Sequence, residues 1–181
     1  MRKNLLSFLP GNLRIRSLTR RDRLLLGAFF FFLFWIYLLY GKGALFFEVP
    51  SRSMEPTLLP GDKVVAFRVK RIERGDVIAF ISPLNPKDIL VKRVVGLPGE
   101  EIEIHGGKVY INGNPLKEPY IKEPPIYDLP RTRIPPGYYF VLGDNRNNSE
   151  DSSVFGPIPR KSIIAKDVFI YWPPSRWGRI K

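Results

Sequence analysis

The chain has 181 residues, 18 prolines and 15 glycines, no cysteine, one histidine and a formal net charge of +12. That length suffices for one domain with a real core plus an accessory segment. The missing cysteines exclude a disulfide framework, a cysteine nucleophile and a cysteine-based zinc site. Any Ser-His-Asp triad would have to use His105, which precedes Gly106-Gly107 and reads as an exposed turn residue.

The charge is unevenly spread. Residues 1–23 hold seven basic residues against Asp22 alone, half of the excess. The rest is too dilute to mark a nucleic-acid surface, and no nucleic-acid partner is expected. This first segment, broken by Pro10 and Gly11, reads as a basic, solvated tail.

Residues 24–40 (LLLGAFFFFLFWIYLLY) are seventeen in a row without a charge. That is the short end of the ~17–25 residues a membrane-spanning helix needs. Trp35, Tyr37 and Tyr40 gather towards its far end, as interfacial aromatics do. The run is apolar all round, unlike a helix with one buried face. It exceeds the ~7–15 apolar residues of a cleavable leader, although Gly41-Lys42-Gly43 loosely matches a small-x-small cleavage site. Residues 24–41 therefore read as an uncleaved transmembrane anchor. Seven positive residues precede it and Lys42 alone follows closely, which keeps residues 1–23 in the cytoplasm and puts residues 42–181 on the outer face of the cell membrane.

Beyond the anchor the apolar period becomes two. Residues 63–69 (KVVAFRV), 77–81 and 89–95 are short β-branched runs separated by turn chemistry at Gly61-Asp62, Arg74-Gly75-Asp76 and residues 83–88. Residues 101–105 and 108–111 flank Gly106-Gly107, a hairpin signal. Residues 115–136 carry many prolines and read as an irregular excursion. Residues 138–142 and 168–172 are further strands, and residues 160–165 hint at a helical turn. The fold expected is mainly β: an antiparallel sheet domain after the N-terminal helix, with a small accessory β segment at 100–137.

Three stretches carry chemistry. In Pro50-Ser51-Arg52-Ser53-Met54-Glu55-Pro56-Thr57-Leu58 two prolines bracket two serines, so Ser53 sits on a stiff, bent segment and not inside a helix. Alone, it also fits a linker leaving a membrane helix. Lys92 lies within an apolar strand ending in Gly96-Leu97-Pro98-Gly99. A lone strand lysine is usually a solvated edge charge; buried, it would lose proton affinity and could serve as a base. The third stretch, residues 142–156, holds Asp144, Arg146, Ser149 and Asp151 between apolar anchors, which is costly unless they are paired. It lacks the ligand spacing of a calcium loop; no metal or cofactor is implied.

Together these stretches resemble the type I signal peptidases, membrane-bound serine proteases with a Ser/Lys dyad. The matches are Ser-x-Ser-Met-x-Pro-Thr-Leu at 51–58, Arg-Gly-Asp-Val at 74–77, Lys-Arg-Val-Val-Gly-Leu-Pro-Gly at 92–99, and Gly-Asp-Asn-Arg with Ser-x-Asp-Ser at 143–152. The resemblance spans about residues 46–172. It implies that Ser53 is the nucleophile and Lys92 its general base. Ser149 would orient the amine, and Ser51 with the Ser53 N–H would form the oxyanion hole. Asp144, Arg146 and Asp151 would brace the loop. Where the family has an arginine two residues after Asp151 this chain has Ser153, so Arg146 or Arg93 would have to replace it.

The resemblance further implies a membrane-bound endopeptidase that removes signal peptides from exported precursors near the secretion translocon, cutting after small residues in an Ala-x-Ala pattern. Phe47, Val49 and Pro50 would add the substrate as a strand. Met54, Leu58, Leu90 and Val91 would wall shallow pockets that exclude large side chains. The rival readings are a regulatory Ser/Lys protease resembling LexA-type repressors and a non-enzymatic anchored β domain. Residues 171–177, with Trp172 and Trp177, fit a lipid interface or core packing.

Overall fold

The computed structural model describes residues 19–40, 43–68 and 71–180. Most of the basic tail, Gly41-Lys42 and the end of the strand expected at 63–69 lie outside them. The chain divides into two compact units, Met1–Leu39 and Tyr40–Lys181.

The first unit is built on helix α1, Arg20–Tyr40. Thr19 and Asp22 start it as a reciprocal cap: Thr19 N–H and Oγ1 donate to Asp22 Oδ2 at 3.0 and 2.8 Å, and Asp22 N–H donates to Thr19 Oγ1 at 3.2 Å. Nearly all its side chains from Leu24 to Tyr37 are exposed. Arg20, Arg21, Asp22 and Arg23 occupy its first turn. Among the described residues, no helix is long and apolar enough to cross a membrane.

The second unit is mainly β. Its strands are β1 Leu45–Glu48, β2 Lys63–Arg68, β3 Val77–Ile81, β4 Ile89–Gly96, β5 Glu101–His105, β6 Lys108–Ile111, β7 Asn114–Pro115, β8 Leu129–Arg133, β9 Tyr138–Leu142, β10 Ile158–Pro159, β11 Ile163–Trp172 and β12 Gly178–Arg179. One short helix, α2, spans Ser152–Phe155. The larger sheet runs β1-β2-β11-β3-β4-β9-β10, with β12 paired to β11; the smaller runs β7-β6-β5-β8. Every pairing is antiparallel.

Alternation along β3 shows how the large sheet is buried on both faces. Val77 and Ala79 enter one core with Val49, Met54, Leu58, Val64, Ala66 and Ile170. Ile78 and Phe80 enter another with Val94, Val141, Ile158 and Ile163. A third core joins the two sheets, setting Val95, Phe140 and Leu142 against Ile102, Ile104, Val109, Ile111 and Ile134. Gly96 belongs there because a Cβ would run into Ile134 Cδ1 and Phe140 Cβ.

Several sequence expectations need adjustment. The excursion at 115–136 contains a strand, β8, which pairs with β5. Its sequence, LPRTR, has no apolar alternation; only Leu129 and Thr132 are half-buried. The helical turn foreseen at 160–165 is confined to a 3-10 turn at Arg160–Ser162. From Ile163 the chain is strand, because Ile163 and Ala165 pair with Phe80 and Ala79 of β3. Gly106 and Gly107 both have positive φ, 56° and 73°, and close the β5–β6 hairpin. His105 is exposed beside them, stacked on Tyr110 at 4.2 Å between ring centroids. Trp172 and Trp177 are exposed and not in the core.

Candidate active site

The segment between β1 and β2 is a closed loop. Val49 N–H donates to Asp62 O and Gly61 N–H to Val49 O, both at 2.9 Å, so its ends meet. Within it the chain folds into tight turns, Glu55 N–H to Arg52 O at 3.1 Å and Leu58 N–H to Met54 O at 2.9 Å. Met54 and Leu58 plug into the core with Val49 and anchor the turn. Ser53, immediately before Met54, is thereby held nearly buried at the edge of that core.

Lys92 comes from β4, opposite Ile78 of β3. Only 3% of it is exposed. Its Nζ lies 2.5 Å from Ser53 Oγ. Burial pushes the amine down from 10.5 to about 8, against the opposing pull of the Asp151, Glu150 and Asp144 carboxylates. An amine with that affinity is neutral in about a tenth of molecules at pH 7, far more than a free lysine, and a neutral amine can accept a hydroxyl proton. Ser51 Oγ stands 3.2 Å from Ser53 Oγ, on the same side of the turn.

The loop after β9 supports this pair from behind. Asn145 N–H donates to Ser53 O at 3.1 Å and Asn145 Nδ2 to Arg52 O at 3.0 Å. Gly143 lets the two segments approach, since a Cβ there would collide with Ser53 O and with the Ser149 side chain. Ser149 is therefore close to the nucleophile's backbone. Its Oγ is buried without a hydrogen-bond partner, so the expected bond to the Lys92 amine is not made in this structure.

The charged residues of the loop find separate partners. Arg93 Nε and Nη2 grip Asp144 Oδ1 and Oδ2 at 2.9 and 2.7 Å, and Thr57 Oγ1 donates to Asp144 Oδ2 at 2.5 Å. Arg146 pairs instead with Glu118, two bonds of 2.8 and 2.6 Å, and its Nε donates to Gly143 O at 3.0 Å. Burial alone would disfavour the Arg146 charge, but the Glu118 carboxylate outweighs it and raises the guanidinium above its ordinary range. Asp151 accepts from Gly143 N–H at 2.8 Å, Ser153 N–H at 3.0 Å and Ser153 Oγ at 2.8 Å, and it caps α2. The hydroxyl of Ser153 thus takes up a donor's place where an arginine was expected, while Arg93 is committed to Asp144 and Arg146 to Glu118.

Beside Ser53 is a cleft of about 150 Å³, lined by Phe47, Val49, Pro50, Ser51, Met54, Leu90 and Val91 among others. Glu48 and Ile89 also reach it. Leu58 does not: it is fully buried in the core that backs Met54. Asn145, Thr57, Glu118 and Tyr120 were not foreseen as members of this site. Asn145 and Thr57 lie inside the motifs at 143–146 and 51–58, so their positions carried a signal. Glu118 and Tyr120, in the proline-rich excursion, carried none.

The family model described as signal peptidase, peptidase S26, matches residues 22–172. The chain is 45% identical over 143 residues to a probable signal peptidase I-1 of Synechocystis, covering 73% of each. It is 35% identical over 153 residues to a signal peptidase IB of Staphylococcus aureus, covering 72% of this chain and 79% of that one. Against thylakoidal processing peptidase 1 of Arabidopsis thaliana the identity is 38% over 143 residues, 71% of this chain and 42% of the relative. A crystal structure of a signal peptidase I from Enterococcus faecalis superposes with a TM-score of 0.50 at 36% identity, over 54% of this chain and 97% of that one.

Proposed function

We propose a mechanism for this chain from the premise that it belongs to the signal peptidase family, peptidase S26, and is a serine peptidase of the signal peptidase I type. Its substrates are precursor proteins bearing signal peptides. Ser53 is the nucleophile and Lys92 the general base. The observation that carries this assignment is the 2.5 Å contact between a serine oxygen and a buried amine lowered to about 8.

The neutral Lys92 amine takes the Ser53 proton as Oγ bonds to the scissile carbonyl carbon. The oxyanion that forms accepts from Ser51 Oγ–H and Ser53 N–H. The Lys92 ammonium returns the proton to the leaving nitrogen, the C–N bond breaks, and an acyl group remains on Ser53. A water then repeats the sequence and releases the serine. Ser149, packed against Gly143, orients the amine when it swings its hydroxyl towards Nζ. Asp144, Arg146 and Asp151 keep the loop in shape through the pairs described above.

The substrate strand lies between Phe47, Val49 and Pro50 on one side and Leu90 and Val91 on the other, with Met54 at the floor. A space of about 150 Å³ is well below the ~300–1,000 Å³ of ordinary ligand sites. So small a cleft favours short substrate side chains beside Ser53, in keeping with cleavage after small residues. Residues 24–40 anchor the protein as a single pass, with the N-terminus cytoplasmic and the catalytic unit outside, near the translocon. What supports that reading is the sequence itself: seventeen residues without a charge at 24–40, with seven basic residues before them. The test is incubation of the purified full-length chain with a secretory precursor, with products read by mass spectrometry. The parent should release the leader at an Ala-x-Ala site; Ser53→Ala and Lys92→Ala should release none, and turnover by either would refute the dyad.

A further inference from the structure

The proline-rich excursion does more than join β7 to β8. Glu118, whose side chain is 5% exposed, holds the fully buried Arg146 side chain through two bonds. Tyr120 Oη donates to Glu118 Oε1 at 3.0 Å, and the Tyr120 ring lies 4.0 Å beneath the Arg93 guanidinium carbon. Burial, with Glu118 beside it, pushes the Tyr120 phenol above its ordinary range, so it stays a hydrogen-bond donor. Lys122 N–H donates to Asp144 O at 2.9 Å, and Lys122 Nζ pairs with Glu55 Oε2 at 2.8 Å. Two Glu118–Arg146 bonds and two Lys122 bonds thus tie residues 118–122 to both halves of the site, the loop bearing Asp144 and Arg146 and the turn bearing Ser53, while the Tyr120 ring ties them to Arg93 of β4.

We propose that residues 118–122 are a positioning strap for the nucleophile, acting through the Glu118–Arg146 pair and the Tyr120 ring to press residues 143–146 against the Ser53 peptide. Each bond in the path is accounted for. Glu118 fixes Arg146, and Arg146 Nε fixes the Gly143 carbonyl. Tyr120 and Lys122 fix Arg93 and Asp144. The loop so held presents Asn145 N–H and Nδ2 to the carbonyls of Ser53 and Arg52. None of the three strap side chains lines the cleft, so the strap acts on the alignment of Ser53 with Lys92 and not on substrate contact. The inference rests on the peptidase reading only for its kinetic part.

Removing the Glu118 charge alone would strand Arg146 in the interior and could unfold the protein. The test therefore uses Glu118→Gln/Arg146→Met, which removes both charges together, and Tyr120→Phe, which removes one oxygen. Two quantities are read on the full-length chain: amide hydrogen exchange, and cleavage kinetics of a secretory precursor. In the double variant Asn145 exchange should rise at least about tenfold while Phe80 in β3 is unchanged, the signature of a local opening. Its kcat should fall ~10–100-fold with KM moving less than about threefold, as a misaligned nucleophile requires. Tyr120→Phe should shift both quantities in the same directions by a smaller factor. Unchanged Asn145 exchange in both variants overturns the strap, as does a KM rise with kcat intact. If the parent cleaves no precursor, the peptidase reading fails while the exchange result still decides the strap.

Discussion

Two neighbouring residues of β4, Lys92 and Arg93, point to opposite faces of the sheet, and both are cations out of reach of water, at 3% and 1% exposure. The Arg93 face supplies a full partner set: Asp144 grips the guanidinium at two points, Gly75 O accepts at 2.8 Å and the Tyr120 ring lies against it. The Lys92 face supplies a hydroxyl and no direct carboxylate contact. A buried charge is costly unless it is paired: Arg93 is paired, and Lys92, lowered to about 8, gives up its proton more readily than a free lysine. Arg93 is held as scaffolding, and Lys92 is left in the state its proposed role as a base would use.

The largest test of that contrast is Lys92→Met. Precursor cleavage should drop by ~10⁴-fold or more, as when a member of a catalytic unit is lost. Stability should move the other way. Because the folded-state value of Lys92 lies at about 8 against 10.5 for the free side chain, its burial costs about 3 kcal/mol where it is protonated in both the folded and the unfolded state. That cost is fully present below pH 8 and fades as the pH rises to 10.5. Urea unfolding should therefore find Lys92→Met more stable than the parent at pH 7, with the gap closing by about pH 10.5. A variant less stable at pH 7 would place Lys92 on the scaffolding side.

Asp144→Asn probes the opposite face. It keeps the shape but leaves Arg93 buried without its carboxylate, which should cost about 3–5 kcal/mol, read as a lower urea midpoint. A loss below 1 kcal/mol would mean the pair is not what holds the loop. The smallest structural disturbance is Ser51→Ala. It should leave the urea midpoint near the parent's yet cut kcat ~10²–10³-fold, the usual result of removing one oxyanion donor. An unchanged kcat would remove Ser51 from the hole.

Much of the fold was legible because β2, β3, β4 and β9 are short runs rich in β-branched and aromatic residues and β5 and β6 alternate, all bounded by Gly, Asp, Asn or Pro turns. β8 was not, since nothing in Leu-Pro-Arg-Thr-Arg marks a strand; pairing with β5 imposes it. β11 began five residues early for the same reason, as β3 recruited Ile163 and Ala165. In the site, Ser51, Ser53, Lys92, Asp144, Arg146, Ser149 and Asp151 could be picked out by motif. Their pairing could not: Arg146 meets Glu118, 28 positions away, and Asp151 meets a serine. Leu58 sits one layer deeper than its place in the motif suggested, because the turn at residues 54–58 rotates it into the core.

Residue identity and local spacing, then, settled which side chains are available for chemistry, which are missing, and where strands alternate with turns. These are short-range properties, readable wherever neighbours along the chain carry them. The proton affinity of Lys92 is of another kind. It depends on how completely water is excluded by strands on either side, and on which carboxylates arrive from 52 to 59 residues downstream. The meeting of an amine and a hydroxyl 39 positions apart is likewise a product of β4 packing against the loop after β1. Solvent exclusion and charge pairing sum over the whole folded neighbourhood, and no window of sequence contains that sum.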